Sequence, residues 1–343
     1  MAEVPTPPSS IALEVRPLLR HGRVILVTID GVRWQDVFLG IDPERSTERG
    51  GPEVTMPRAR RLAMERGVAI GAGQGACGVV RTAGGSNVSM PGYIEIFTGA
   101  RTSCRDNECG RVARPTVFDE VASAIGGVAT SIGSWPVLEK TVTSAIDRVG
   151  VTAGMHPWAG PRPEHATGVA ETIAKHASVN PWPGGSGYRP DAYTIEIALQ
   201  YLRTERPTLL HVGLVDTDEW AHKDDYARYL EALRSADDFV GAISDQLDAS
   251  GEAARTTVIL ATDHGRGPSF KDHGVMMPGA ERSWVIAFGG GIAARGIGCP
   301  NRDVLLTDIA PTIRTLVGLP PDLSDDAGRP IDEIAVPEKD RVR

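Results

Sequence analysis

Apolar and β-branched residues gather in short unbroken runs along this chain, and three of those runs end in acids. Val24–Asp30 reads VILVTID, Leu209–Asp218 reads LLHVGLVDTD, and Thr256–Gly265 reads TTVILATDHG. Runs of this length without alternation between faces predict strands buried on both sides, as in a parallel sheet. Val128–Trp135 and Trp284–Phe288 predict two more strands, and Val68–Ile70 a short one.

Helical spacing fills the intervals. Pro57–Arg66 reads as a helix stopped by Gly67, and Thr116–Ile125 as one with Thr116 as N-cap and acids in its first turn. Asp191–Arg203 leads into the Leu209 strand. Asp224–Leu247 is the longest, with Tyr226, Leu230, Leu233, Phe239, Val240 and Ile243 on one face. Asp303–Val317 is the last, with Pro311 expected to mark a local break. Trp34–Gly51, polar and punctuated by Gly and Pro, reads as a long loop over a crevice, and Ala83–Gly99 as a flexible start that turns into a short helix. Strands alternating with helices predict a three-layer α/β/α sandwich with a largely parallel central sheet. A single catalytic domain over residues 21–343 is expected after a partly ordered lead-in at 1–20. The stretch from 150 to 190, rich in Trp, His, Pro and Gly around a helix near Val169–Ala177, is either a substrate-facing cap or a decorated connection.

Composition narrows the function. At 343 residues with 41% hydrophobic and 23% charged residues, the chain can bury a sizeable core. A net charge of −8 argues against a role built on nucleic-acid phosphates, and no apolar run nears the ~20 residues that span a bilayer. The N-terminus, MAEVPTPPSSIALEV, lacks a basic segment followed by an apolar one, so no signal peptide is expected in the sequence as it stands. The compartment stays open: periplasmic or secreted if a leader has been removed, cytoplasmic otherwise. Cys77 and Cys299 have no motif around them and read as small buried side chains. Cys104 and Cys109, in CRDNEC, read as a short disulfide loop or free thiols rather than half of a metal knuckle, since no second pair exists.

The chemistry lies at the strand ends. Asp30, Asp218, His222, Asp263, His264 and His273 all fall there, taking three of the chain's eight histidines. Asp218 and His222 are four apart, one helical turn, and this spacing selects Asp218 over Asp216 as a ligand. Mixed Asp and His donors suit zinc, with manganese or iron as alternatives, and six donors are too many for one tetrahedral ion. Two divalent cations fit better. A pair would clamp the attacking and leaving oxygens of a phosphoryl transfer. Ser89, in Val88-Ser89-Met90-Pro91, is the candidate nucleophile, since coordination can activate a hydroxyl without a histidine base.

The bland alternatives differ in weight. An Asp closing a strand before Gly is often a turn residue, but recurrence of the Asp/His pairing favours ligation. His211, inside a strand, reads as a satisfied core histidine. His156, His165 and His176 read as surface or cap residues, and Trp158, Trp182 and Tyr188 as either pocket lining or structural aromatics.

VTIDGVR, SMPGYIEIFTG, DTDEWAH, ATDHGRG with a downstream KDHG, and TDIAPTI together resemble the alkaline phosphatase superfamily. The resemblance is nearest to its branch of nucleotide pyrophosphatase/phosphodiesterases, sulfatase-like hydrolases and cofactor-independent phosphoglycerate mutases, and runs from residue 24 to about 330. It implies an alkaline phosphatase-like fold and hydrolysis of a small phosphate ester through a phosphoseryl intermediate on Ser89. It further implies that Asp30, Asp263, His264 and Ser89 hold one cation and that Asp218, His222 and His273 hold the other. Two departures stand out. Gly92-Tyr93 replaces the Asn-His that commonly follows the nucleophile-motif proline of the phosphodiesterases. Asn87, Asn107 or Lys271, with Tyr93, are therefore the candidate substrate contacts. Tyr93 also stands where the sulfatase motif has Arg, which favours a plain serine over formylglycine. Rival readings are a sulfatase or phosphonate hydrolase, a mutase-like transferase, for which Gly99–Leu209 is short, and a metal-retaining binding protein without turnover.

Overall fold

The computed structural model describes residues 22–163, 184–185 and 187–335. Eleven strands appear among them: β1 Arg23–Ile29, β2 Gly67–Ile70, β3 Val80–Arg81, β4 Ala129–Gly133, β5 Gly150–Ala153, β6 Leu209–Leu214, β7 Thr256–Ala261, β8 Arg282–Ser283, β9 Val285–Gly289, β10 Gly296–Ile297 and β11 Val304–Leu305. Eight of them form one sheet in the order β10-β2-β9-β7-β1-β6-β4-β5. Within it only β9 runs against its neighbours, β2 and β7. The other pairings are parallel. β11, β3 and β8 form a second, small sheet.

The unbroken apolar runs are explained by packing on both faces. In β1, Val24 and Leu26 enter one core, with the helices Ser89–Thr98, Val117–Ala124 and Ile309–Val317. Ile25, Val27 and Ile29 enter the other, with Pro57–Arg66, Asp191–Thr204 and Tyr226–Ala249. The result is the expected α/β/α layering with a mostly parallel sheet. The helix at Val117–Ala124 starts on a capping box, Thr116 receiving the Asp119 amide and Asp119 receiving that of Thr116.

Several expectations need correction. Cys77 and Cys299 are not separate buried thiols but a disulfide that spans 222 residues, and Cys104 and Cys109 form a second one. Pro311 causes no break: it lies in the first turn of Ile309–Val317, where its missing N–H has no intrahelical partner to lose. The Trp34–Gly51 loop contains a helix, Trp34–Phe38, fastened by Asp36, whose carboxylate receives Arg33, Tyr226 and Tyr229. Trp158 is buried, stacks on Tyr201 and donates to the Pro161 carbonyl. The described part of the supposed cap is thus built into the sheet edge through β5, which Trp158 covers. The lead-in, the helix near Val169–Ala177, His165, His176 and Trp182 lie outside the described residues.

His211, on β6, is the satisfied core histidine expected: its ring nitrogens meet Thr28 Oγ1 at 2.8 Å and Ser131 Oγ at 2.9 Å with no solvent exposure. Burial holds its pKa down to about 3. The folded state therefore refuses a proton that the unfolded chain accepts near pH 6.5. Its contribution is whole above that value and declines toward pH 3, by a total on the order of 5 kcal/mol. We expect His211→Gln to flatten the acid limb of the stability curve from denaturant titrations, even if stability at neutral pH falls.

Candidate active site

Three adjacent strands deliver the site. Asp30 follows β1, Asp218 and His222 lie on the Asp216–His222 helix just after β6, and Asp263 and His264 follow β7. Since β7, β1 and β6 are neighbours, their carboxyl ends, where parallel α/β sheets place their ligands, bring the three segments together. Asp191 secures the segment after β6 by accepting the Val215 and Asp216 amides at 2.9 Å each. The Asp216 carboxylate returns the contact on the Asp191 amide at 3.0 Å, so it is turned to Asp191 and not to the cluster.

Ser89 opens the Ser89–Thr98 helix, at its positive end. Its Oγ lies 3.4 Å from Asp30 Oδ1 and 3.2 Å from His264 Nε2. The donor atoms of Asp30, Asp263 and His264 fall within 4.8 Å of one another, as do those of Asp218, His264 and His273. His222 Nε2 completes the cluster, 3.0 Å from Asp218 Oδ2 and 3.2 Å from His273 Nε2. All seven residues expected as ligands or nucleophile thus meet in one place.

The imidazoles are oriented to coordinate. His264 Nδ1 sits 2.9 Å from the Gly265 carbonyl and His273 Nδ1 2.9 Å from that of Asn87. A carbonyl only accepts, so each Nδ1 carries the proton and each Nε2 keeps a lone pair for the cluster. The carboxylates are prepared as well. Tyr93 donates to Asp30 Oδ2 at 3.1 Å and the Gly31 amide to Asp263 Oδ1 at 3.2 Å. Asp263 Oδ2 is buried with no hydrogen-bond partner.

Electrostatics agree with that orphaned oxygen. Burial, then the Asp263 and Asp218 carboxylates, push Asp30 well above the carboxylate range, and burial with Asp218 lifts Asp263 to about 7. Burial holds His264 and His273 down to about 4. Burial would raise Asp218 too, but Arg266, His222 and His273 together hold it well below its usual value, and the Asp218 hydrogen bond raises His222. A divalent cation would reverse the acids' resistance to ionising, and imidazoles that resist protonation already offer it neutral nitrogen donors. The donor set fits such ions.

The candidate substrate contacts fare differently. Tyr93 is buried and its hydroxyl is turned to Asp30. Asn87 accepts from Thr82 at 2.6 Å and donates to the Gly274 carbonyl at 3.3 Å, which ties up both ends of its amide. Asn107 Oδ1 accepts the Met90 amide at 2.9 Å, one peptide bond from Ser89. Lys271 is exposed. Gly92 has a steric reason to be glycine: a Cβ there would lie 2.5 Å from the Asp263 carbonyl oxygen. Sequence reasoning missed Arg266, a buried guanidinium on Asp218. Its place directly after Asp263-His264-Gly265 was the available signal.

A family model described as type I phosphodiesterase / nucleotide pyrophosphatase matches residues 111–286, just over half of the chain, including Asp218, His222, Asp263, His264 and His273. The chain belongs to that family. It is therefore a hydrolase of the alkaline phosphatase superfamily. None of the curated proteins compared matches the sequence. Similar solved structures include a phosphonate monoester hydrolase of Agrobacterium radiobacter, at 16% identity and TM-score 0.59, covering 92% of this chain and 77% of that one. The alkaline phosphatase PafA, at 13% identity and TM-score 0.61, covers 93% and 100%. A putative sulfatase from Bacteroides thetaiotaomicron, at 13% identity and TM-score 0.62, covers 92% and 75%. At these identities the likeness is one of fold.

Stripping the protein of divalent ions and adding back zinc is expected to stabilise the fold by about 2.7 kcal/mol at a hundredfold excess over Kd, read as a rise in melting temperature. Asp263→Asn should lose most of that gain, as differential scanning calorimetry would show.

Proposed function

We propose that this family member is a two-cation hydrolase of small phosphate esters acting through Ser89. One observation carries the reading: the Ser89 hydroxyl stands within hydrogen-bond reach of Asp30 and His264, at the edge of a cluster of three buried acids and three imidazoles. Asp30, Asp263 and His264 would hold one ion beside Ser89, and Asp218, His222 and His273 the other. Zinc best suits this mixture of nitrogen and oxygen donors. Such ions, when bound, lower the serine pKa and neutralise charge on the phosphoryl oxygens.

The chain's own residues do the rest. Ser89 Oγ forms a bond to phosphorus as the bond to the leaving alcohol breaks; water then cleaves the phosphoserine and returns the hydroxyl. Tyr93 and the Gly31 amide hold two carboxylates in place. The Asn107 amide is fixed by its oxygen beside Ser89, and its NH2 is the best supported donor to a phosphoryl oxygen, ahead of Asn87, whose amide is engaged at both ends. Two disulfides support an oxidising compartment, periplasmic or extracellular. None of the described helices is long and apolar enough to cross a membrane.

Aryl phosphate, phosphodiester, phosphonate and sulfate esters offered to the zinc-loaded protein would rank the substrate classes, with phosphate esters expected first. Ser89→Ala should keep its metal content by elemental analysis and lose roughly 10³-fold or more in kcat. Undiminished turnover by that variant would remove Ser89 from the mechanism.

A further inference from the structure

Arg266 follows the Asp263-His264-Gly265 turn, and its side chain is wholly withdrawn from solvent. A buried charge is costly unless paired and hydrogen-bonded. Here it is both. Nη1 donates to Asp218 Oδ1, Nε to the Phe270 carbonyl, and Nη2 to the Lys271 carbonyl at 2.8 Å. Every guanidinium nitrogen is engaged by the protein, so this cation is not placed to receive a substrate phosphate.

What it does instead is join two segments. One acceptor lies on the Asp216–His222 helix, which carries Asp218 and His222. The other two lie in the 267–274 loop, at the residues just before Asp272 and His273. Those segments supply all three donors of the second ion group. The loop has little regular structure of its own: its internal bonds run from the Gly267 amide to Asp272, from the Phe270 amide to Gly267, from the Lys271 amide to Ser269 and from the Ser269 hydroxyl to the Asp272 carboxylate, and Phe270 stands at φ 67°, a left-handed conformation costly for a bulky residue. The Phe270 ring, packed edge-on against Tyr226 and Tyr229, anchors one end, and Arg266 fastens the backbone beside it. The joint also explains Gly31, at φ 62°: a Cβ there would lie 2.3 Å from Asp218 Oδ1 and 2.6 Å from Arg266 Nη1.

We propose that Arg266 is the positioning residue of the second ion group, its planar fork holding the Asp218 carboxylate and the His273 loop in ligating register before any ion arrives. This rests on the two-cation reading. The consequence is selective. Arg266 sets the affinity of the Asp218/His222/His273 group and leaves that of Asp30/Asp263/His264 nearly untouched. Lysine cannot replace it, because an ammonium is a point charge that cannot bridge three acceptors held in a plane.

The test is zinc titration of the stripped full-length protein by calorimetry, with elemental analysis of stoichiometry, for wild type, Arg266→Lys and Arg266→Gln. Wild type should take two ions. Both variants should keep the first at wild-type affinity and bind the second about 10–100-fold more weakly. A wild type that takes no ion overturns the two-cation reading itself. A wild type that takes two, with variants that do the same at equal affinity, overturns the role of Arg266 alone. If the variants do not fold, hydrogen exchange in the stripped wild type decides: the Gly267 and Phe270 amides should exchange slowly without zinc. Fast exchange that slows only on loading would mean that the ion, not Arg266, orders the loop.

Discussion

Three carboxylates withdrawn from water, those of Asp30, Asp218 and Asp263, face one another at the carboxyl ends of three neighbouring strands. Their mutual repulsion is the constraint that the surrounding structure has to meet. An isolated chain would relieve it by protonation or by separation, and separation is ruled out because β1 is held in register with β7 from Arg23 to Thr28 and with β6 from Val24 to Ile29. The protein instead divides the problem. Asp218 receives a buried guanidinium and stays ionised, Asp30 receives a phenol, and Asp263 receives one backbone amide on one oxygen and nothing on the other. That gradient from fully compensated to orphaned leaves the deficit of positive charge beside Ser89, where an ion would be held.

The Ser89–Thr98 helix answers a second constraint, of space. All ten residues of Ser89–Thr98 are buried, and the helix presses so closely on the end of β7 that a side chain at position 92 would strike the Asp263 backbone. Glycine there brings Ser89 close to the acids and removes the place from which an asparagine could donate to a phosphoryl oxygen. Asn107, in the interval closed by Cys104 and Cys109, sits on the Met90 amide and so supplies the cap that Val88 lacks at this helix start.

The fold and the gathering of acids and imidazoles at the strand ends were legible in the sequence for the same reason: both depend on local pattern. Strands buried on two faces must be apolar throughout, and an acid at their ends stands out against that background. The four-residue step from Asp218 to His222 needs only a helical turn, which the Asp216–His222 helix provides. What depended on distant partners was not legible. Nothing near Cys77 points to Cys299, since the pairing follows from bringing residues 222 apart together. Tyr93 read as a substrate contact because its place in the motif was known but its rotamer was not; only the packed helix turns its hydroxyl to Asp30. Two-residue strands such as β3, β8 and β11 are too short to show any period.

One further link runs from the middle of the sheet to the site. Ser131 on β4 bonds His211 on β6, His211 bonds Thr28 on β1, and the Tyr93 hydroxyl meets both Thr28 and Asp30. Each member is buried and each polar atom in the line has a partner, which makes the chain rigid rather than costly. Burial keeps His211 neutral, so one of its ring nitrogens accepts and the other donates along this line. The direction of the Tyr93 phenol is therefore set by polar pairing across three strands as well as by Asp30, whose Oδ2 it meets. A change at Ser131 or His211, several side chains away from Ser89, would be felt at Asp30 before it was felt at the surface.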